Sequence, residues 1–193
     1  MIELEVGGVA LRLETAAGLF SPRRADRGTL AMLSRVEFAP GMKVLDLGCG
    51  CGLVGILAAK ACGEANVVMC DIDPLAVEIA AKNAALNGVG GVKAVVSDGL
   101  SGVDDAGFDL ILSNPPYQSD FSVARGFIEK GFNRLKIGGR MVMVTKRREW
   151  YRNKLIAIFG GVGICEVDGY FVFEAQRRSA SYAGRRERRG FIK

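Results

Sequence analysis

The sequence predicts an α/β fold, namely a doubly wound, mostly parallel seven-stranded sheet with an antiparallel C-terminal strand, preceded by a small N-terminal hairpin and helix. From residue 42 onward, short apolar runs alternate with segments of helical periodicity, which is typical of a parallel sheet covered on both faces. A glycine-rich turn joins the first of these runs to the first helix. The chain has 193 residues, 49% of them hydrophobic, so we expect one core.

Residues 1–41 are predicted to form an N-terminal extension. Apolar and polar residues alternate on both sides of Gly7-Gly8, a pattern that favours a β-hairpin. Apolar residues then recur at helical spacing, and Pro40-Gly41 follows as a stop signal. The expected elements are two strands and a helix, at 2–6, 9–13 and 29–38.

Residues 42–176 are predicted to form the core of the same single domain. Asp73 and Pro74 are suited to the N-cap and first turn of a helix, and Gly88 to its end. Asp168-Gly169 joins the last two strands as a hairpin, so one edge of the sheet should be antiparallel. The expected strands are 43–47, 66–71, 92–96, 108–113, 140–144, 164–167 and 170–174. The expected helices are 53–61, 74–87, 122–135 and 148–159.

The positive charge is concentrated in the C-terminal part. Residues 145–193 contain 12 Lys or Arg against 5 Asp or Glu, a net charge of +7, whereas residues 1–144 have a net charge of −2. The segment 177–193 is arginine-rich with few apolar residues, which predicts a mobile basic tail. Together with Lys146, Arg147 and Arg148, this tail could pair with phosphates of a nucleic acid, or could be a solvated surface without a partner.

The composition excludes several classes of enzyme. The sequence contains no histidine, so catalysis by an imidazole and His-liganded metal sites are excluded within this chain. Its five cysteines include no C-x-x-C pair and lie among small or apolar residues, as reduced thiols do, and Cys49 and Cys51 are weak metal candidates. No basic N-terminal signal and no apolar run of membrane-spanning length is present. We therefore expect a cytoplasmic protein without a metal.

A glycine loop follows the first core strand. Asp46 ends that strand, and Gly48, Gly50 and Gly52 alternate before the next helix, which lets a ligand approach the backbone closely. The second strand ends at Asp71, a carboxylate placed to accept hydrogen bonds from both hydroxyls of a ribose. This arrangement predicts a nucleotide-like cofactor.

The loop alone leaves two cofactors open. Residues 50–55 also fit the G-x-G-x-x-G pattern of NAD-binding proteins, and Asp71 lies at the matching distance. Asp46 favours S-adenosylmethionine, because a carboxylate there suits an ammonium group and repels a pyrophosphate. Asp98, at the end of the third strand, could accept a hydrogen bond from the adenine amine, or could be an ordinary turn residue.

The fourth strand ends in Asn114-Pro115-Pro116-Tyr117. The prolines stiffen the loop and pre-orient its polar groups. The side-chain oxygen of Asn114 and the carbonyl of Pro115 are two acceptors that can hold the two hydrogens of a planar –NH₂ group and direct its lone pair at an electrophile. Tyr117, and Phe121 beyond it, could stack on a base.

With these motifs the chain resembles the class I S-adenosylmethionine-dependent methyltransferases, and within them the small methyltransferase domain of ribosomal RNA guanine-N2 methyltransferases. The resemblance also covers Phe20-Ser21 and Asp26-Arg27-Gly28-Thr29, and it implies a Rossmann-like fold with S-adenosyl-L-methionine as cofactor. Phe20 and Thr29 resemble residues that close over the cofactor. The implied catalytic residues are Asn114, Pro115, Pro116 and Tyr117. The implied cofactor-binding residues are Asp46, Gly48, Gly50, Gly52, Asp71, Ile72, Asp98 and Asn114.

The expected function is N-methylation of an exocyclic amine of a base in RNA, with guanine-N2 of small-subunit ribosomal RNA as the preferred target. Many members of this group carry a second, degenerate domain that 193 residues cannot hold, so the substrate is open. The alternatives are an adenine-N6 methyltransferase on RNA or DNA, a protein glutamine-N5 methyltransferase, a non-catalytic RNA-binding assembly factor and an NAD oxidoreductase. The sequence does not indicate the oligomeric state.

Overall fold

A computed structural model describes residues 1–15, 26–116 and 121–183, and it confirms the predicted fold class. The strands are β1 (Ile2–Val6), β2 (Val9–Leu13), β3 (Val44–Leu47), β4 (Val67–Asp71), β5 (Lys93–Val96), β6 (Phe108–Ser113), β7 (Leu135–Thr145), β8 (Gly163–Val167) and β9 (Tyr170–Gln176). The helices are α1 (Arg27–Leu33), α2 (Leu53–Cys62), α3 (Pro74–Leu86), α4 (Phe121–Arg134) and α5 (Arg148–Phe159). Across the described ranges, no helix is long and apolar enough to cross a membrane.

The main sheet has seven strands in the order β5-β4-β3-β6-β7-β9-β8. Strands β3 to β7 are parallel, and β9 runs antiparallel to both β7 and β8. The antiparallel strand therefore lies one position in from the edge, because the turn at Asp168-Gly169 folds it back between its neighbours. The chain order reverses between β3 and β6, which is the place where open α/β sheets bind ligands.

Apolar side chains cover both faces of this sheet. Helices α1, α2 and α3 and the hairpin β1–β2 pack on one face, and α4 and α5 pack on the other. All four residues of β3 are buried, and its alternation directs Val44 to the first face and Leu45 and Leu47 to the second. Asp46 stands in this buried strand, so the core itself fixes the position of a carboxylate.

Two elements differ from their predicted bounds by more than two residues at one end. Helix α1 spans residues 27–33 instead of 29–38, because the side chain of Asp26 caps it by accepting from the Thr29 amide, and the Ser34 amide closes its last turn. Strand β7 begins at Leu135, directly after α4, instead of at residue 140. Leu135 already pairs with Phe108, and an irregularity in the register separates this pair from the rest of the ladder.

The hairpin is fixed to α3 by two asparagines one helical turn apart. Asn83 is fully buried, and its side chain accepts from the Glu14 amide at 2.7 Å and donates to the Glu14 carbonyl at 2.9 Å. Asn87 makes the same pair of bonds to the backbone of Arg12. Asn83 also donates to the Cys51 carbonyl at 2.9 Å. One side chain thus joins the hairpin, α3 and the glycine loop.

We expect Asn83→Ala to lower the free energy of unfolding by about 3 kcal/mol, because it removes three partly buried hydrogen bonds from the fully buried Asn83 side chain to the backbone of Glu14 and Cys51. Urea unfolding followed by circular dichroism would measure this loss. The control is Lys82→Ala on the exposed face of the same helix, where the Lys82–Glu78 pair is screened by solvent and its loss should change stability little. Equal, small losses in both variants would contradict the assignment.

The chain beyond residue 176 does not leave the core where the basic tail was predicted to begin. The Arg177 guanidinium lies over the ring of Phe132 at 4.8 Å and donates to backbone carbonyls, including that of Leu135. The Tyr182 hydroxyl donates to the Glu129 carbonyl at 2.9 Å. Arg177 and Tyr182 therefore contact the core, and the mobility of the tail stays a prediction; residues 184–193 lie outside the described residues.

Candidate functional site

A cavity of about 330 Å³ opens at the carboxyl ends of β3, β4, β5 and β6. Its volume lies within the range of about 300–1,000 Å³ that is usual for small-molecule sites. The hairpin and α1 close one side of the cavity, and α4 closes another. The predicted site residues that line it are Asp46, Gly48, Gly50, Asp71, Ile72, Asp98, Asn114, Pro115 and Pro116. The sequence-predicted residues are thus brought together, although they come from four strands.

The glycine loop is held by backbone hydrogen bonds to the neighbouring strand. The amides of Gly48 and Cys49 both donate to the Cys70 carbonyl, at 2.9 and 3.0 Å. Gly52 has φ +86° at the start of α2, and a Cβ there would lie 3.1 Å from that of Ala80. It shapes the floor of the loop although it does not line the cavity itself. A side chain at this position would displace the turn on which the cavity depends.

Gly55 marks the closest approach between α2 and the sheet. A Cβ at this position would lie 2.4 Å from the Met69 side chain and 3.3 Å from an oxygen of Asp46. The absence of a side chain allows the Gly55 amide to donate to Asp46 Oδ2 at 2.8 Å. The third glycine of the G-x-G-x-x-G pattern therefore serves helix packing and the orientation of a carboxylate.

Asp46 is the buried carboxylate of the site, with 3% of its surface exposed. Burial raises its pKa from the usual 3.8 to about 7; the hydrogen bond from Gly55 lowers the pKa, and the charge of Asp71 adds to the rise. A cation bound nearby would stabilise the ionised form. This carboxylate therefore suits a ligand with an ammonium group, as the sequence predicted.

Asp71 and Asp98 lie at the rim, where β4 and β5 end. The two oxygens of Asp71 accept from the backbone amides of Gly50, at 2.9 Å, and Asp73, at 3.1 Å. These bonds fix the carboxylate, and each oxygen keeps a second lone pair that could accept from a ribose hydroxyl. Asp98 is exposed, and Ile72, 66% exposed, offers an apolar surface beside Asp71. An adenosine-like group fits this combination of acceptors and apolar wall.

Asn114 is held by two residues of the N-terminal extension. Its amide nitrogen donates to Asp26 Oδ1 at 2.6 Å and to Thr29 Oγ1 at 3.0 Å. Because a carboxylate can only accept, the nitrogen of the amide must face Asp26, and the Asn114 oxygen lies at the other end of the group. The same Asp26 oxygen caps α1. The start of this helix and the orientation of Asn114 are thus fixed by one side chain.

Some predicted site residues fall outside the described part of the chain: Tyr117, Phe20 and Ser21. Phe121 is described, and its ring stacks on Trp150 at 4.3 Å, with the Arg147 guanidinium also over the ring. Its ring therefore already has two partners in this structure, and its stacking on a base stays a prediction. Thr29 acts on Asn114 in addition to lining the cavity.

Sequence reasoning did not identify Asp26 as the partner of Asn114, nor Phe127 and Val123 of α4 as cavity walls. The first contact joins residues 88 positions apart. The available signal was the spacing of Asp26 and Thr29, which is that of a helix N-cap and its third residue. The α4 residues follow from an amphipathic pattern that predicts burial but not the ligand that they face.

The loop cysteines are not suited to a reactive or metal-binding role. Burial raises the pKa of the Cys49 thiol well above its usual value and also raises that of the Cys51 thiol, so both thiols stay protonated at neutral pH. All five cysteines are free. In the described ranges, no three His, Cys, Asp or Glu side chains form a group that could hold a metal ion.

The chain is similar to a known protein family and to several curated proteins. The family model of the methyltransferase small domain matches residues 10–174. The ribosomal RNA small subunit methyltransferase C of Hahella chejuensis is 36% identical over 172 residues, which are 86% of this chain and 50% of that protein. The Bacillus subtilis protein YbxB is 31% identical over 83% of each chain. This chain thus spans about half the length of the first curated relatives and most of the length of YbxB.

A solved structure is similar over nearly the whole chain. The T. thermophilus 16S rRNA N2 G1207 methyltransferase, in complex with AdoMet and guanosine, aligns with a TM-score of 0.84 at 28% identity. The alignment covers 92% of this chain and 50% of that one. The family match covers the hairpin strand β2, the glycine loop and Asn114-Pro115-Pro116, on which the cavity is built. The chain therefore belongs to the methyltransferase small domain family.

Proposed function

We propose that this protein is an S-adenosyl-L-methionine-dependent N-methyltransferase that acts on the exocyclic amine of a base in RNA, with guanine-N2 of small-subunit ribosomal RNA as its target. The observation that carries the proposal is the fixed amide of Asn114. Asp26 and Thr29 hold its nitrogen, and its loop lines the cavity that contains Asp46 and Asp71. The chain thus combines a cofactor-like cavity with acceptors for an amine.

The cavity residues fit the proposed cofactor. Asp46 suits the ammonium of its methionyl part, Asp71 suits the ribose hydroxyls, and Ile72 suits one face of the adenine. Gly48, Gly50 and Gly52 keep the loop backbone clear of side chains. When bound, S-adenosyl-L-methionine supplies an electrophilic methyl group on a sulfonium. Holding the attacking nitrogen and this methyl group at near-attack geometry can lower the activation barrier by about 7–11 kcal/mol.

The residues of the Asn114 loop would hold the amine. The Asn114 oxygen and the Pro115 carbonyl accept its two hydrogens, which reduces delocalisation of the nitrogen lone pair into the base. Asp26 strengthens this acceptor, because a carboxylate that receives the amide N–H polarises the amide toward its oxygen. Pro115 and Pro116 restrict the backbone, so that little ordering remains to be done on binding.

The substrate assignment is supported by the relatives. Two of them are named as ribosomal RNA methyltransferases, one of Hahella chejuensis and one of T. thermophilus, and the structure of the latter contains guanosine. The adenine-N6 and glutamine-N5 alternatives present a planar –NH₂ group in the same way, so the experiment must compare substrates. A cytoplasmic location is part of the proposal, and the five free thiols support it.

Two measurements test the function. Calorimetric titration should show binding of S-adenosylhomocysteine and none of NAD; binding of NAD instead would overturn the cofactor. Transfer of a tritiated methyl group should then be compared on 16S rRNA, small ribosomal subunits, DNA and a glutamine-containing peptide. Label in N2-methylguanosine after nuclease digestion supports the proposal, and label in N6-methyladenosine or in the peptide replaces the proposed target with that alternative.

Variants of Asp26 should separate its two roles. Asp26→Ser keeps an N-cap for α1 but is too short to hold Asn114, so we expect kcat to fall about 30-fold, with thermal stability changed by less than about 1 kcal/mol. Asp26→Asn keeps both hydrogen bonds and loses only the charge, so its kcat should fall less. If both variants retain wild-type kcat, Asp26 does not position Asn114. Initial rates at saturating substrates would measure the difference.

A further inference from the structure

Three consecutive cations follow the end of β7: Lys146, Arg147 and Arg148, here called the 146–148 patch. All three are exposed. The parallel register of β6 and β7 pairs Ser113 with Met143. Asn114 follows Ser113 by one residue and Lys146 follows Met143 by three, so both segments leave the sheet at the carboxyl ends of its parallel strands. The Arg147 guanidinium lies over the ring of Phe121, the first described residue after the Asn114 loop, so the patch lies on the side of the sheet from which that loop emerges.

Each cation of the patch lies over an aromatic ring. Lys146 Nζ is 4.9 Å from the ring centre of Tyr170, and the Arg147 guanidinium is 5.0 Å from that of Phe121. The Arg148 guanidinium is 5.9 Å from the ring centre of Phe171. Such contacts restrict a long side chain and so lower the entropy that binding would cost.

Stacking leaves the hydrogen-bonding edge of an arginine available. The face of the Arg147 guanidinium is used by the ring of Phe121, whereas its N–H groups point along the plane of the group, where a phosphate can accept them. Phe121 is in turn supported by Trp150, with the rings inclined by 12°. This cation is therefore supported from below by two stacked rings.

The charges of Lys146 and Arg147 are not neutralised locally. In the described ranges, no carboxylate oxygen lies within 4.0 Å of either side-chain cation, whereas Arg148 pairs with Glu149 at 2.7 Å. Other cations of the C-terminal part are already engaged: Lys154 pairs with Glu129, and Arg177 binds backbone carbonyls. Lys146 and Arg147 are therefore available to bind a phosphate on the side of the Asn114 loop.

We propose that the 146–148 patch binds phosphates of the RNA strand next to the target base, mainly through Lys146 and Arg147. The inference rests on the proposed function, because it takes RNA as the substrate. It adds the part of the protein that holds the strand while the base enters the cavity. Phosphate contacts fix position without selecting sequence, so the patch should contribute affinity and leave the choice of base to the Asn114 loop.

The test measures the salt dependence of RNA binding. The probe is a fluorescein-labelled single-stranded 12-nucleotide RNA of mixed sequence, titrated between 50 and 300 mM KCl. In Lys146→Gln/Arg147→Gln, the slope of log K against log salt should become shallower by about 1.4, because about 0.7 is lost for each contact to a single strand. The dissociation constant at 100 mM KCl should rise about tenfold.

The matched control is Lys60→Gln, set against the single variant Lys146→Gln. Both lysines are exposed, but Lys60 lies in the last turn of α2, on the side where the amino ends of the parallel strands lie. Lys60→Gln should leave the slope unchanged, and Lys146→Gln should lower it by about 0.7. Equal slopes for the wild type and the double variant, at wild-type melting temperature, would overturn the patch.

The same samples separate this inference from the proposed function. If the wild type methylates RNA and the double variant keeps the wild-type slope, the patch is refuted and the function stands. If the wild type binds S-adenosylhomocysteine but neither binds nor methylates RNA, the RNA substrate itself is refuted. A shallower slope in the double variant with unchanged binding of S-adenosylhomocysteine supports both.

Discussion

Asn114→Ala is expected to lower kcat for methyl transfer by at least about 10³-fold, a loss of roughly 4 kcal/mol of transition-state stabilisation. Binding of S-adenosylhomocysteine should be largely retained, because Asp46, Asp71 and the glycine loop do not depend on the Asn114 side chain. The reason for the large effect is positional. Alanine removes the acceptor that aligns the amine, and nothing of that length remains on the stiff loop to replace it.

Single-turnover transfer of a tritiated methyl group and calorimetry with S-adenosylhomocysteine would measure the two quantities separately. Asn133→Ala, an exposed asparagine of α4, is the control and should retain wild-type kcat. Asn114→Asp should also be inactive, since its second oxygen would face the Asp26 carboxylate where an N–H now donates at 2.6 Å. Activity of Asn114→Ala within tenfold of the wild type would remove Asn114 from the mechanism, and joint loss of activity and cofactor binding would assign it to the cofactor.

Asp46→Asn is expected to stabilise the free protein at alkaline pH and to weaken cofactor binding. The pKa of Asp46 is raised to about 7 in the folded state, against 3.8 as its ordinary value. Between these values the folded state holds a proton that the unfolded state has lost. The contribution of this group to the free energy of unfolding is therefore highest below pH 3.8 and falls by about 4 kcal/mol in total as the pH rises to 7. Above pH 7 this group causes no further change.

Asparagine does not ionise, and its oxygen can still accept from the Gly55 amide. Asp46→Asn should therefore match the wild type near pH 4 and exceed its free energy of unfolding by up to about 4 kcal/mol at pH 8. Urea unfolding of both proteins across this range gives the difference, in which the other titrating groups cancel. Parallel profiles for the two proteins would contradict the raised pKa.

Cofactor binding should respond in the opposite direction. As the pH increases toward 7, the affinity of the wild type for S-adenosylhomocysteine should increase about tenfold per pH unit, because the ammonium of the ligand pairs only with ionised Asp46. Asp46→Asn should bind more weakly at pH 8 and show no such rise. A substitution that stabilises the free protein but weakens ligand binding indicates that the original charge is kept for binding at a cost in stability.

The fold and the glycine loop could be predicted from sequence because their determinants are local. Each of these features depends on only a few neighbouring residues: the short buried strands, the helix start at Asp73-Pro74 and the alternating glycines. The carboxylates at strand ends follow from the same alternation, since the carboxyl ends of parallel strands meet at one edge of a sheet. Asp46 and Asp71 could therefore be placed together without a structure.

The remaining features depend on contacts between distant segments. The contact between Asp26 and Asn114 spans 88 residues, and the shift of α1 follows from the cap that Asp26 provides. Arg177 was expected in a solvated tail because it is charged, yet its guanidinium finds carbonyls at the end of α4 and the ring of Phe132. The charge of an arginine predicts that it is exposed to solvent. Its planar guanidinium can nevertheless pack on a ring and donate to backbone carbonyls at the protein surface.

The asparagine bridge between the hairpin, α3 and the glycine loop has a consequence for how the protein opens. Because the Asn83 side chain bonds to both Glu14 and Cys51, a displacement of this side chain is felt by the glycine loop and by the segment that follows β2. The three segments then behave as one cooperative unit, and a ligand that holds the loop would slow amide exchange in β2 without touching most of it. Binding of a ligand in the cavity should therefore be detectable as slower amide exchange in the N-terminal hairpin.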